Sequence, residues 1–351
     1  MELTVRTSDN YNIIIERGCI KQIGTFAENL LNKGSKAFII SDSNVLPIYG
    51  KTTADSLKAA GFKVYEYAFP AGEESKRLNT IEEIYFKLSE NGFTRSDFIV
   101  ALGGGVTGDM AGFAAATYLR GIKFIQIPTS LLAQIDSSVG GKTAVDLPQG
   151  KNLVGSFHQP CLVLIDPNTL STLPPHYFSD GMGEAIKYGC IKSRKLFDMI
   201  LNTDIKENIE ELIYSCIDIK RGVVERDEFD NGERMLLNFG HTFGHALEKN
   251  YNFKKLSHGE AVGVGMAMMA KCGEKADITK EGTSAEIQKA LKKYNLPIWD
   301  DMDTEKILEA AALDKKSRGG NINLIMLKEI GDSFIKKVDR GGLRKLIEVL
   351  K

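Results

Sequence analysis

Between residues 36 and about 165 the chain alternates short β-branched runs with helical stretches: AFIIS at 37–41, KVYEYAF at 63–69, DFIVAL at 97–102, KFIQIP at 123–128 and LVLID at 162–166. Apolar runs of strand length with helix-length spacers predict a wound, mostly parallel sheet. Ahead of them, MELTVRTSDNYNIIIERG alternates polar and apolar residues as a strand pair does. After about residue 180 the period becomes that of amphipathic helices, with long segments at 205–226, 234–250 and 257–274 and one strand-like run, NINLIML at 321–327. Prolines, a glycine and polar residues gather in TLSTLPPHYFSDG, which sets a boundary near 170–180. The pattern predicts an α/β domain over 1–175 and a mainly α-helical domain over 176–351, with no internal repeat or low-complexity tract.

Length agrees with two domains, since 351 residues exceed the size at which one core usually keeps growing. The 45 basic and 46 acidic side chains nearly cancel, and no basic block points to nucleic acid or an anionic membrane as partner. The apolar run AVGVGMAMMA at 261–270 is about half the length that spans a bilayer and predicts a buried helix. No charged-then-apolar signal opens the chain, and five cysteines without a C-x-x-C pair argue against a disulfide framework or a thiolate zinc site. The expected compartment is the reducing cytoplasm.

In DFIVALGGGVTGDMAGFAAATYLRG, Gly103, Gly105 and Gly108 have G-x-G-x-x-G spacing, directly after an apolar strand and opening an Ala-rich helix. That context lets backbone amides at a helix N-terminus receive a pyrophosphate, although the same glycines also permit tight strand–helix packing. Residues 110–135 hold no Asp or Glu for the cofactor ribose, so the carboxylate must come from another strand end. Asp42 in IISDSNV is the candidate, and helix capping is its alternative role.

The helical half offers ligands for a metal. NFGHTFGHALE at 238–248 sets His241 and His245 four residues apart, on one face of a helix. That spacing fits two ligands, a ligand beside a catalytic group, or two core histidines. His258 and Glu260 in SHGEAVG and Glu184 in GMGEAIKYG complete several possible two-histidine, one-carboxylate sets, each leaving zinc a position open for substrate. Lys142, Lys151, Lys187 and Arg234 accompany them among exposed-backbone glycines. Together they suit a small anionic substrate bearing carboxylate and phosphate.

The blocks GGGVTGDMAGFAAATYLRGI, PTSLLAQIDSSVGGKTAVDLPQGKNLVGSFHQP, GMGEAIKYG, NFGHTFGHALE and SHGEAVGVGM resemble the 3-dehydroquinate synthase family, in order over nearly the whole chain. The block from Gly103 to Pro160 is the most specific, the last hundred residues match loosely, and Gly183 stands where the family pattern leads one to expect alanine. The resemblance implies a Rossmann-like NAD domain joined to a helical domain, a zinc ion with cobalt as an alternative, and a homodimer. It also implies conversion of 3-deoxy-D-arabino-heptulosonate 7-phosphate to 3-dehydroquinate and phosphate, the second step of the shikimate pathway, with NAD regenerated in each turnover.

Carried over by position, the family's zinc ligands fall on Glu184, His241 and His258, and His245 becomes an active-site neighbour on the phosphate side. Arg234 matches a contact to the substrate carboxylate; Lys142, Asn152, Asn238 and a lysine of Asp314-Lys315-Lys316 match groups around the phosphate. Asp136, Lys187 and Lys220 complete the expected pocket, and Arg120 resembles a residue donated by the other subunit. For NAD the matching positions are Asp42, Asn44, Lys76, Gly104, Gly105, Val106, Asp109, Thr129, Ser130 and Thr172, with Lys142 and Lys151 beside them. An inosose-type sugar-phosphate cyclase would take a substrate without the carboxylate, so Arg234 and Asn152 favour the dehydroquinate reaction. A glycerol dehydrogenase-type enzyme would release reduced cofactor.

Overall fold

The computed structural model describes residues 1–251, 254–301, 304–312 and 321–348. They form two compact units: Met1–Pro174 with Lys220–Phe229, and Pro175–Ile219 with Asp230–Lys351.

The first unit is built on a seven-stranded sheet. Its strands are β1 (Glu2–Val5), β2 (Tyr11–Ile15), β3 (Lys36–Asp42), β4 (Lys63–Phe69), β5 (Phe98–Gly103), β6 (Lys123–Pro128) and, after a separate hairpin, β9 (Leu162–Ile165). The spatial order is β1-β2-β9-β6-β5-β3-β4, parallel throughout except for the β1–β2 pair. Side-chain alternation divides the core into two layers. Ala37, Ile39, Phe98, Val100 and Leu102 pack on α1 (Ile23–Glu28) and α2 (Lys51–Ala59) through Ile23, Ala27, Ala54 and Leu57. Phe38, Ile40, Ile99 and Ala101 face the other way, onto Ile81, Ile84 and Leu88 of α3 (Leu78–Glu90) and Met110, Ala111 and Ala114 of α4 (Gly105–Thr117). Burial on both faces is why β5 reads as a continuous apolar run.

The hairpin of β7 (Lys142–Leu147) and β8 (Gly150–Phe157) was not anticipated from the sequence. Glycines and charges interrupt its alternation, so neither strand presents an apolar run.

The second unit holds α5 (Pro175–Lys192), α6 (Arg194–Asn202), most of α7 (Ile209–Arg226), α8 (His241–Asn250), α9 (His258–Lys275), α10 (Thr283–Lys293), α11 (Thr304–Ala312) and α12 (Arg340–Glu348). A hairpin of β10 (Asn321–Glu329) and β11 (Asp332–Asp339) joins them. The apolar run of 261–270 lies inside α9, buried on nearly every side. Helix α5 approaches α9 so closely that a Cβ on Gly183 would stand 2.6 Å from the Gly259 carbonyl oxygen. That proximity gives a physical reason for glycine where alanine was expected.

Two expectations need correction. The segment 234–250 is not one helix: a 3-10 turn covers Glu233–Asn238, Gly240 turns left-handed at φ 80°, and α8 starts afresh at His241. The second unit is also not the unbroken stretch 176–351, because Lys220–Phe229 belongs with the first unit. There Lys220 Nζ donates to the Asp136 carbonyl (2.7 Å), Glu228 accepts from Ser8 and Gln159 (2.7 and 2.8 Å), and Phe229 packs edge-on against Phe157.

Candidate functional site

Three helices of the second unit bring Glu184, His241 and His258 together. Glu184 lies mid-α5 and is fully buried; the two histidines are the first residues of α8 and α9. Nε2 of His241 lies 3.7 Å and Nε2 of His258 3.4 Å from the same atom, Glu184 Oε1. One ligand atom from each residue falls within 4.8 Å of the others. His241 Nδ1 is 3.2 Å from the Phe239 carbonyl oxygen, a contact that assigns the proton to Nδ1 and leaves Nε2 with the lone pair facing Glu184. Burial holds this imidazole well below its usual pKa despite the nearby Glu184, so it is the neutral donor that metal ligation requires. At His258 burial pulls the same way, but the carboxylates of Glu184 and Glu248 beside the ring outweigh it and raise the pKa to about 10. Two carboxylates thus demand positive charge at this point. Two nitrogens and one carboxylate, with a position left open, fit a catalytic zinc ion.

Gly240 makes the arrangement possible. With a side chain there, its Cβ would meet Met266 Cγ at 2.6 Å and the Val262 carbonyl oxygen at 2.7 Å on α9, so only glycine lets α8 start this close.

His245, one turn after His241, is exposed, with its ring centroid 5.2 Å from that of His241 and 6.3 Å from that of His258. Glu260, a candidate ligand by spacing, is engaged elsewhere: its Oε2 accepts from the Ser257 amide (2.8 Å) while Ser257 Oγ accepts from the Glu260 amide. This is a capping box at the start of α9, and the S-x-x-E pattern at 257–260 was its sequence signal. Glu248, which the sequence reading did not single out, is 4% exposed, with Oε1 3.4 Å from His258 Nδ1.

Among the cations, Lys187 is buried and donates to Glu184 Oε2. Arg234 is also buried, within the Glu233–Asn238 turn, where Asn238 Nδ2 donates to the Met235 carbonyl (3.0 Å). The Asp314-Lys315-Lys316 segment lies outside the described residues.

In the first unit the candidate cofactor residues gather along the carboxyl edge of the sheet. The chain runs from β3 outward to β4 and then returns to the other side of β3 as β5, so strand order reverses between β3 and β5. Such reversals are where open α/β sheets bind ligands. Asp42 ends β3 and Gly103 ends β5. Gly104 is extended at the start of α4, and Gly105, Val106 and Thr107 occupy the first turn, whose amides have no intrahelical acceptor. A Cβ on Gly104 would lie 3.5 Å from Ser130 Oγ, so the bare glycine leaves a cradle beside Ser130 that fits a pyrophosphate.

Other members of this set are tied to one another. Asp42 Oδ1 accepts from the amides of Asn44 (2.8 Å) and Val45 (3.0 Å), a turn-capping role. Thr129 donates its amide to the Gly103 carbonyl (2.9 Å), and Thr172 Oγ1 hydrogen-bonds Tyr49 (2.7 Å). Lys76, 4% exposed, donates to Asp109 Oδ2 (2.5 Å) and Asn152 Oδ1 (2.6 Å). Burial works against its charge, but Asp109 and Glu73 hold it above the usual lysine range. Lys151 faces Glu73 at 3.8 Å, Lys220 donates to Asp136 Oδ1, and Lys142 is exposed at the start of β7. Arg120 is exposed just beyond α4, itself left-handed at φ 69°.

The five cysteines form no disulfide among the described residues. Burial pushes Cys19 and Cys272 up to about 12 and Cys161 up to about 11, away from the thiolate a metal would need.

The family model described as 3-dehydroquinate synthase N-terminal matches residues 66–180, and its C-terminal counterpart matches 181–317. A 3-dehydroquinate synthase of Clostridium acetobutylicum is 51% identical over 347 residues, 97% of each chain. A solved 2-deoxy-scyllo-inosose synthase complexed with carbaglucose-6-phosphate, NAD+ and Co2+ is 27% identical, with a TM-score of 0.88 over 99% of each chain. A 2-epi-5-epi-valiolone synthase from Streptomyces hygroscopicus with NAD+ and Zn2+ bound shares the fold at 24% identity, with a TM-score of 0.87 over 99% of this chain and 98% of that one.

Proposed function

The chain belongs to the 3-dehydroquinate synthase family, and on that premise we propose that its two units divide the labour of that family's reaction, one holding NAD and the other zinc or cobalt. Bound NAD supplies a reversible hydride acceptor and bound metal a Lewis acid for hydroxyl oxidation, phosphate elimination, ketone reduction and aldol closure, which carry 3-deoxy-D-arabino-heptulosonate 7-phosphate to 3-dehydroquinate and phosphate. The enzyme is then a phosphate-eliminating carbon–oxygen lyase of the shikimate pathway, working in the cytoplasm.

The convergence of His241 and His258 on one carboxylate oxygen of Glu184 is the observation that carries this reading. Arg234 receives the substrate carboxylate: a guanidinium is charged at any working pH, and its planar fork matches a carboxylate. Lys142, Asn152, Asn238 and His245 serve the phosphate, with Asp136, Lys187 and Lys220 completing the substrate contacts. Lys76 aligns Asp109 with Asn152, coupling the glycine-turn helix to the β7–β8 hairpin. The NAD ribose is received at Asp42 and Asn44, and its phosphates by the amides of Gly104, Gly105 and Val106, with Asp109, Thr129, Ser130, Lys151 and Thr172 around them.

Arg120 stands at the far end of α4 from the glycine turn, 13 residues or about 20 Å away. That separation supports service to a second copy of the chain in a homodimer.

Phosphate release from the heptulosonate phosphate, measured with and without NAD and chelator and with the product identified, tests the reaction. The expected result is dependence on both cofactors, 3-dehydroquinate as product, and a flat trace at the reduced-nicotinamide absorbance band through many turnovers. A rise in that absorbance matching product would assign a net dehydrogenase instead.

A further inference from the structure

We propose that Glu248 is a positioning residue of the metal site, fixing the ring of His258 from the side opposite Glu184; the inference rests on the reading of Glu184, His241 and His258 as the metal-holding set. His241, His245 and Glu248 sit four and three residues apart along α8 and so share one helix face. Glu248 is 4% exposed, and a carboxylate that far from water is costly unless its charge is matched. His258 supplies a hydrogen bond, and a metal held on the far side of its ring would supply the positive charge. One nitrogen of its ring, Nδ1, lies 3.4 Å from Glu248 Oε1, and the other, Nε2, lies 3.4 Å from Glu184 Oε1.

A neutral imidazole carries one proton and one lone pair. With Nδ1–H directed at Glu248, the lone pair sits on Nε2 and faces the atoms with which it would share a metal. His241 is held by the same logic through a different group, the Phe239 carbonyl on its Nδ1. The two histidines therefore differ in what orients them. A backbone carbonyl is neutral and cannot be removed by mutation, whereas a carboxylate adds negative charge behind the ligand and raises its basicity. Of the two groups that hold the histidine rings at Nδ1, Glu248 is the one that a substitution can delete.

The same residues permit a rival arrangement. His245, Glu248 and His258 also place one ligand atom each within 4.8 Å of one another, so they could hold a metal of their own through His258 Nδ1. That geometry needs His258 Nδ1 as a donor of electrons, and the positioning role needs it protonated. The two are distinguishable.

The experiment uses the full chain, loaded with zinc and titrated against a chromogenic chelator, for the parent, Glu248→Ala, Glu248→Gln and His258→Ala, with circular dichroism to check the fold. The parent is expected to bind one zinc, with affinity about 100-fold weaker in Glu248→Ala and about tenfold weaker in the near-isosteric Glu248→Gln, which keeps an acceptor oxygen without the charge. If Glu248→Ala does not fold, Glu248→Gln carries the test. In the Co2+-loaded protein, the paramagnetically shifted, exchangeable Nδ1 proton of His258 is expected to exchange slowly in the parent and to vanish into solvent in Glu248→Ala, which a loss of general packing would not select. Affinities within about twofold of the parent in both variants overturn the proposal. So do two zinc ions per parent chain of which Glu248→Ala loses one, the outcome of the rival site. Parent affinity in His258→Ala overturns the ligand assignment itself, and is thereby told apart from failure at Glu248.

Discussion

In the first unit the candidate ligand contacts are backbone amides at the start of α4 and side chains already tied to neighbours: Asp42 to its own turn, Lys76 to Asp109 and Asn152, Lys220 to Asp136. In the second unit two histidines from two helices aim at a single carboxylate oxygen of Glu184 on a third. Amides supplied by a strand–turn–helix are shared and partly redundant, so the first site should weaken by degrees. A three-ligand metal site has no ligand to spare, so the second should fail at once.

His241 gives the largest expected effect. His241→Ala leaves two protein ligands, and the zinc content after gel filtration should fall to background together with activity. His245→Ala, one turn away on an exposed face, should retain zinc and turn over slowly. Zinc lost from His245→Ala and kept in His241→Ala would reverse their roles. Retention of zinc and rate in both would remove the cluster from the chemistry.

Arg234 comes next, because its proposed contact is to substrate and not to metal. Arg234→Met should lower kcat/KM for the heptulosonate phosphate by about 2–5 kcal/mol of transition-state stabilisation, while zinc content and NAD affinity stay at parent values. Equal kcat/KM in mutant and parent would remove the carboxylate assignment, and with it the main argument against an inosose-type substrate.

The same substitution read in both units sharpens the contrast further. Gly240 is left-handed at φ 80° and in contact with α9, so Gly240→Ala should lose roughly 2–4 kcal/mol of stability, seen as a lower Tm, with zinc binding weakened alongside. Gly104 has an ordinary backbone conformation, and its added Cβ would meet nothing nearer than 3.5 Å. Gly104→Ala should therefore fold like the parent, with stability changed by about 0.5 kcal/mol or less, and bind NAD more weakly by calorimetry. A folded Gly104→Ala with parent NAD affinity would take the glycine turn out of cofactor binding.

How far the sequence could be read follows the same division. Strands β3, β5 and β6 were legible because burial on both faces makes them apolar runs, whereas the edge strand β4 showed through its valine, tyrosines and phenylalanine. Strands β7, β8 and β11 were not: GKNLVGSF and DSFIKKVD are half-exposed and carry charges or glycines where alternation should show. In the helical unit, residue type and spacing allowed several metal sets. Choosing among them took the family resemblance, since no local pattern tells which of three distant helices meet. Two local signals were available and unread: the S-x-x-E box that occupies Glu260, and the position of Glu248 on the histidine face of α8. The break at Gly240 was illegible for a different reason, because what forbids a side chain there is α9, far along the chain.

Glu260 supplies the smallest effect and separates a proposed ligand from its neighbour on the same short motif. His258 and Glu260 are two residues apart at the start of α9, yet one faces Glu184 and the other turns back to the Ser257 amide. A capping box satisfies two of the amides that a helix start leaves without partners, and its loss typically removes about 0.3–1.5 kcal/mol. Glu260→Ala should lower Tm by that order and leave one zinc per chain, while Glu184→Ala should lose the metal. Metal analysis and thermal unfolding of the two variants side by side make the comparison. Zinc missing from Glu260→Ala with the helix content intact would mean that this carboxylate serves the metal and not the helix, and that the carboxylate of the set had been drawn from the wrong helix.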